Sequence, residues 1–230
     1  LPKEFKNIKI KNVGYNLYSY LIFIIDNYDN LPETIVFCKN NIFERHVDKK
    51  YFETLIEKEI FTSIEKESYK LKSPASLRLS DYEFNEINSS WYKYNYKRQY
   101  FANYNEFHSF IFQTNHFPQY LSFSPGANYL VRRENILLRT KQFYQNLLLF
   151  ISHSQFSCES HYLERSLKII WNSSLESNKI MNKEIKSKKK KFIINRCNYI
   201  KSKEQIIIEK IQQKIIFLIG RIFFKLFNFV

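Results

Sequence analysis

At 230 residues, with 18% aromatic residues, the chain has the length and the apolar area for one domain with a sizeable core. Its 3 glycines argue against a glycine-rich phosphate loop and a turn-dense all-β fold, and its 3 scattered cysteines against a disulfide framework or zinc site, which fits a reducing compartment. The net charge of +14 is uneven: residues 179–230 hold 14 Lys and Arg against 3 Asp and Glu, residues 1–178 hold 22 against 19, so the basic character belongs to the tail.

The chain opens Leu1-Pro2-Lys3-Glu4, with neither an initiator methionine nor a signal peptide. An inner strand looks already under way at Ile8-Lys9-Ile10, a pattern that predicts a truncated N-terminus. Residues 5–10 alternate apolar and charged, as a short strand does, and Asn12-Val13-Gly14 is a turn. Leu17, Tyr20, Leu21, Ile24, Ile25 and Tyr28 recur at three and four and predict a helix, too short and too tyrosine-rich for a membrane span and stopped by Leu31-Pro32. Thr34-Ile35-Val36-Phe37-Cys38 reads as a buried central parallel strand. Together these segments read as half of a βαβ unit, with the polar loop after the strand as the place for a site.

Asp48 is placed to cap a helix over residues 49–57, with Tyr51, Phe52, Leu55 and Ile56 inward. Residues 61–90 are less regular: Ser73-Pro74 breaks any helix, and residues 81–87 read as an acidic-aromatic loop. Asn105 is the expected cap of a short helix ending at Phe112. Residues 120–123 and 127–131 read as strands around the turn Ser124-Pro125-Gly126. A long helix is predicted over 133–152, with Ile136, Phe143, Leu147 and Phe150 inward, and another over 159–172, with Tyr162, Leu163, Leu167, Ile170 and Trp171 inward. The lysine run at 186–191 reads as a solvated linker. Residues 204–230 read as one amphipathic helix, with Lys210, Lys214, Arg221, Lys225 and Asn228 near one stripe.

Asn12-Val13-Gly14, Tyr20-Leu21, Tyr28-Asp29-Asn30-Leu31-Pro32, Ile35-Val36-Phe37 and Gly126-Ala127-Asn128-Tyr129-Leu130-Val131 together resemble a bacterial and fungal family of unknown function, glycosyltransferase-A-like in pattern. Phe143-Tyr144 and the segment from Glu159 to Leu163-Glu164-Arg165 also fit it, and the likeness spans residues 1–174. The resemblance implies an α/β fold, a mixed and mostly parallel sheet flanked by helices, and transfer of a sugar from a nucleotide sugar to a surface polysaccharide precursor. It also implies a divalent cation, manganese or magnesium, on an Asp-x-Asp after the central strand. Cys38-Lys39-Asn40-Asn41 stands there instead, and Tyr15-Asn16 replaces the Arg-Glu of the family turn, so the sequence assigns no metal ligand.

Glu44, Asp81 and Glu83 are the candidate catalytic carboxylates. Asn12, Gly14, Asn40, Asn41, Arg45 and His46 are candidate substrate contacts around the turn and the loop, against the plainer reading of a polar loop capping the next helix. His161, Glu164 and Arg165 lie within one helical turn of each other and form either a substrate site or a structural ion cluster. The expected organisation is an α/β domain over 1–174, a basic linker over 175–203 and a helical tail over 204–230. That tail would either meet an anionic membrane surface at the cytoplasmic face, dock on protein, or bind nucleic acid. Apolar residues around most of its circumference argue against nucleic acid. A non-catalytic scaffold anchored by the tail is the alternative to an enzyme.

Overall fold

The computed structural model describes residues 9–58, 60–65, 76–78, 84–88, 92, 96–185, 211, 215 and 218. The lysine run and most of the predicted strand over 5–10 and of the tail lie outside them; Lys9 and Ile10 are exposed and irregular. Helix α1 (Tyr15–Asn27) buries Leu17, Tyr20, Leu21 and Ile24, the face its periodicity predicts, and ends in a 3-10 turn before Leu31-Pro32. Strand β1 (Thr34–Phe37) follows, then the short α2 (Ile42–Arg45) and α3 (Lys49–Ile56). Asp48 caps α3 as expected, its carboxylate accepting from Tyr51 N–H at 2.9 Å.

Strands β2 (Thr62–Ser63), β3 (Ser76–Arg78), β4 (Phe84–Ile87), β5 (Tyr120–Phe123) and β6 (Tyr129–Arg132) complete, among the described residues, two three-stranded sheets. One has the order β1-β6-β2, the other β3-β4-β5. Every strand pair among the described residues is antiparallel, which corrects the expected mostly parallel sheet of glycosyltransferase-A type. Among the described residues β1 is an edge strand on β6, with Thr34 opposite Arg132 and Phe37 opposite Tyr129. The apolar run at 34–38 arises because both faces of this sheet are covered, a condition that leaves strand direction open. Ile35, Phe37, Tyr129 and Val131 enter the main core, while Leu130 joins Ile42, Val47, Leu55 and Ile64 in a second, smaller cluster. The period-two alternation of a strand delivers both sets. Since β1 and β2 each oppose β6, they run in the same direction on either side of it.

Phe84–Ile87, read from sequence as loop, is a sheet strand. Helix α4 (Tyr104–Ile111) is capped by Asn103, two residues before the expected Asn105. The single helix predicted over 133–152 is two, α5 (Arg133–Leu137) and α6 (Lys141–Ile151). Thr140 separates them, its hydroxyl accepting from Phe143 N–H as a helix cap. Helix α7 (Cys158–Asn172) carries the predicted apolar face, with Tyr162, Leu163, Leu167, Ile170 and Trp171 all buried, and starts at the Ser157 cap. Trp171 stacks on Phe37, ring centroids 5.3 Å apart, which joins α7 to β1.

Arg139 closes the far end of α7. Its buried guanidinium donates to the carbonyls of Ile170 (3.0 Å), Leu175 (2.5 Å) and Ser173 (3.3 Å), supplying the acceptors that a helix C-terminus leaves open. The chain then turns back over α4 and α6. Asn178 N–H donates to Ile111 C=O, the Asn146 amide donates to the carbonyls of Met181 and Lys183, and Met181 and Ile185 are buried in the main core. Core packing thus reaches into the segment expected as linker. Ile211, Ile215 and Leu218 are helical. No helix among the described residues is long and apolar enough to cross a membrane.

Candidate functional site

Two turns with left-handed backbone face each other where α1 begins and where the chain passes from β5 to β6. Gly14 and Tyr15 have φ of 64° and 55°; Gly126 and Ala127 have φ of 84° and 58°. A glycine adopts this region freely, but for tyrosine it is an outlier that costs about 1–3 kcal/mol and calls for a reason. At Gly14 a side chain is also excluded by space, since a Cβ would lie 2.9 Å from Ile151 Cδ1.

The turns are tied to each other and to α7. The Asn16 amide donates to Gly126 C=O at 2.8 Å, and Gly126 N–H donates to Glu164 Oε1 at 2.6 Å. Asn128 braces the turn from within, its amide donating to Pro125 C=O at 3.0 Å while its oxygen accepts Lys39 N–H at 3.1 Å. Lys39 lies across the turn just after β1: a Cβ on Gly126 would sit 2.8 Å from Lys39 Cε and 3.0 Å from its Nζ. Among the described residues the half-buried Lys39 ammonium makes neither hydrogen bond nor ion pair.

Behind the turn, α7 supplies the charges that sequence spacing grouped. Arg165 Nη1 donates to Glu164 Oε2 at 2.8 Å and its Nε to Glu86 Oε2 at 2.5 Å, with the guanidinium held between the rings of Tyr92 (4.3 Å) and Phe123 (4.5 Å). His161 Nδ1 is 3.8 Å from Glu164 Oε2. Burial works against a charge on Glu164, but His161, Arg165 and Lys39 outweigh it and hold its carboxyl down at about 2. Burial lowers the pKa of His161, so its imidazole is neutral at pH 7. The site therefore offers a fixed carboxylate with its side chain 18% exposed, a neutral imidazole and an unpaired ammonium.

Around His161 stand aromatic rings. Tyr96 lies 4.6 Å from it and Tyr15 5.2 Å, centroid to centroid, and Phe156, which is 46% exposed, lies 4.8 Å from Tyr15. Burial and the neighbouring Tyr96 push the Tyr15 hydroxyl pKa up. Neither described cysteine is a nucleophile in waiting: burial raises the pKa of Cys38 and pushes that of Cys158 up to about 12.

Of the residues proposed from sequence, Gly14, His161, Glu164 and Arg165 come together here. Asn12 and Asn40 are exposed and Asn41 half-buried on the flanking loops. Glu44 and Arg45 project from α2 into solvent. His46, expected in a polar loop, is buried and pairs with the buried Glu65 at 3.0 Å, a structural contact in the smaller core. Asp81 and Glu83 lie outside the described residues. Sequence reasoning missed Lys39, Asn16, Asn128, Tyr15 and Tyr96 as site residues. The Gly126-Ala127-Asn128 motif was the signal for Asn128, but it reads equally well as the start of a strand. Among the described residues no three His, Cys, Asp or Glu side chains are grouped to hold a metal ion.

No curated protein and no solved structure matches the chain. The family described as Protein of unknown function (DUF3431) matches residues 3–189, from ahead of α1 to beyond the buried Ile185. The chain therefore belongs to the DUF3431 family of proteins of unknown function.

Proposed function

We propose that the chain is a glycosyltransferase-like protein that takes a nucleotide sugar at the junction of the two left-handed turns. The observation that carries the reading is the meeting of the unpaired Lys39 ammonium with the Glu164 carboxylate over Gly126. Lys39 would neutralise the diphosphate, and Glu164, ionised throughout the physiological range, would accept the sugar hydroxyls. The neutral His161 would take the proton of an acceptor hydroxyl as its oxygen bonds to the anomeric carbon and the nucleoside diphosphate leaves with the electron pair. A divalent cation, manganese or magnesium, remains part of this reading through the diphosphate itself.

Calorimetric titration with a panel of uridine and guanosine diphosphate sugars, with and without manganese, tests the reading. Binding by the wild type that falls at least tenfold in Lys39→Met is the expected result. Heats absent for every sugar nucleotide, in both conditions, would remove the enzymatic reading.

A second reading rests on a separate observation. Ile211, Ile215 and Leu218 fall on one helical face, at spacings of four and three, and are 51%, 52% and 61% exposed. That apolar face and the basic tail suit a peripheral anchor on an anionic membrane at the cytoplasmic side, with the domain as scaffold. Co-sedimentation with phosphatidylserine liposomes, with and without residues 190–230, checks it; equal pelleting of the two forms sinks it.

A further inference from the structure

We infer that Tyr15, Tyr96 and Phe156 form a stacking platform for the pyranose ring of the acceptor beside His161; this assignment of an acceptor rests on the reading above. The first argument is backbone conformation. Tyr15 sits in the left-handed region directly after a glycine that adopts it freely, so a ring is retained where the backbone disfavours one. The second is exposure. Phe156 shows almost half of its surface to solvent while lying 4.8 Å from Tyr15, and Tyr15 and Tyr96 are only half-buried. An aromatic group left open beside a polar cluster is the pattern of a ligand surface, not of a core.

The third argument is rigidity. Tyr15 N–H donates to Gln155 C=O at 3.3 Å, which ties the Tyr15 backbone to the segment that carries Phe156. The Tyr96 segment is gripped by α7: Glu159 Oε1 accepts the N–H groups of Gln99 and Tyr100, each at 2.7 Å, and Cys158 N–H donates to Lys97 C=O at 2.8 Å. The platform is formed before any ligand arrives, so binding need not order it. The fourth is chemistry. A pyranose has an apolar face of polarised C–H bonds that suits the negative face of an aromatic ring, and a rim of hydroxyls that needs acceptors. Glu164, beyond His161, supplies such acceptors. A sugar lying on Tyr15 and Phe156 would present a hydroxyl to His161, while the anionic donor would lie with Lys39.

Saturation-transfer NMR with methyl gluco-, galacto- and mannopyranosides, and separately with uridine and guanosine, tests the inference on the full chain. The expected result is transfer to pyranoside C–H protons, at least tenfold weaker affinity in Tyr15→Gly and in Phe156→Ser, and near wild-type binding in Tyr15→Phe, which keeps the ring. Phe156→Ser guards against a folding defect at Tyr15, because it alters an exposed side chain. Pyranoside binding unchanged by both truncations, no pyranoside transfer at all, or ring-dependent binding of nucleosides alone would overturn it. Its failure is separable from that of the proposed function. Sugar nucleotides that bind without pyranosides would end this inference only; Tyr15-dependent pyranoside binding without any nucleotide-sugar heat would end the transferase reading and leave a glycan-binding surface.

Discussion

Replacing Arg139 by Met isolates the contribution of the guanidinium that closes α7. The aliphatic stem and its packing stay, while the donors to Ile170, Ser173 and Leu175 go. The two shorter contacts, at 3.0 and 2.5 Å, are worth about 1.5–3 kcal/mol each as hydrogen bonds from a charged donor. Against them stands the desolvation of a buried cation, several kcal/mol, which the substitution returns and which also lowers the Arg139 pKa. The Ile170 carbonyl is buried and loses its guanidinium partner, a penalty of about 1–3 kcal/mol by itself, whereas Leu175 C=O is closer to solvent and rehydrates. The net expectation is a loss of about 2–4 kcal/mol, or about 10 °C in Tm for a domain of this size. Arg139→Lys should recover little of it, because an ammonium cannot fork to three carbonyls from one position. Near-UV circular dichroism melts read the change. A melting temperature within about 2 °C of wild type would refute the reasoning, since the carbonyls would then be satisfied by water.

Gly14→Ala should lose about 2–3 kcal/mol in urea unfolding, because its φ of 64° disfavours a side chain and the new Cβ would press on Ile151 at 2.9 Å. Glu164 has its pKa depressed from 4.5 to about 2, so its stabilisation is complete above pH 4.5 and is lost as pH falls towards 2; Glu164→Gln should flatten the Tm–pH curve in that window. Burial, helped by His116, lowers the pKa of His108 from 6.5 to about 4. The unfolded chain then binds more protons between those values, so stability is complete above pH 6.5 and falls on acidification towards pH 4; His108→Phe should remove that part of the slope. A wild-type Tm flat from pH 6.5 to 4 would contradict this assignment.

Helices whose apolar residues recur at three and four were legible, as α1, α3 and α7 illustrate, and so were the strands at 34–37 and 129–132. Strand direction was not. A buried antiparallel strand with helices on both faces has the same apolar run as a parallel one, and only the partner distinguishes them. The division between α5 and α6 was hidden because the apolar spacing continues through Thr140, whose capping role depends on one side-chain hydrogen bond. β4 was hidden because Glu86 reads as a solvated acid, yet it is buried on Arg165, 79 residues away. The site divides in the same way. His161, Glu164 and Arg165 share one helical turn and could be grouped from spacing, whereas Asn16 meets Gly126 across 110 residues, a pairing that no local pattern encodes. His46 misled because a histidine in a polar segment looks exposed; its partner, Glu65, arrives from the segment just after β2.

The position of β6 between β1 and β2 bears on how the protein is made. Among the described residues Thr34 finds its sheet partner only at Arg132, and Thr62 only at Leu130, so most of the domain must leave the ribosome before the sheet can close. At ordinary translation speeds the interval between β1 and β6 is on the order of ten seconds. Through it, the apolar face of α1 and the rings around β1 have no sheet to pack on and no α7 to cover them. Among the described residues, the last of the core, Met181 and Ile185, emerge later still. Such a topology folds slowly for its size and leaves apolar surface exposed during synthesis. A copy shortened before Ile185 should accumulate in inclusion bodies, whereas its full-length counterpart remains in solution.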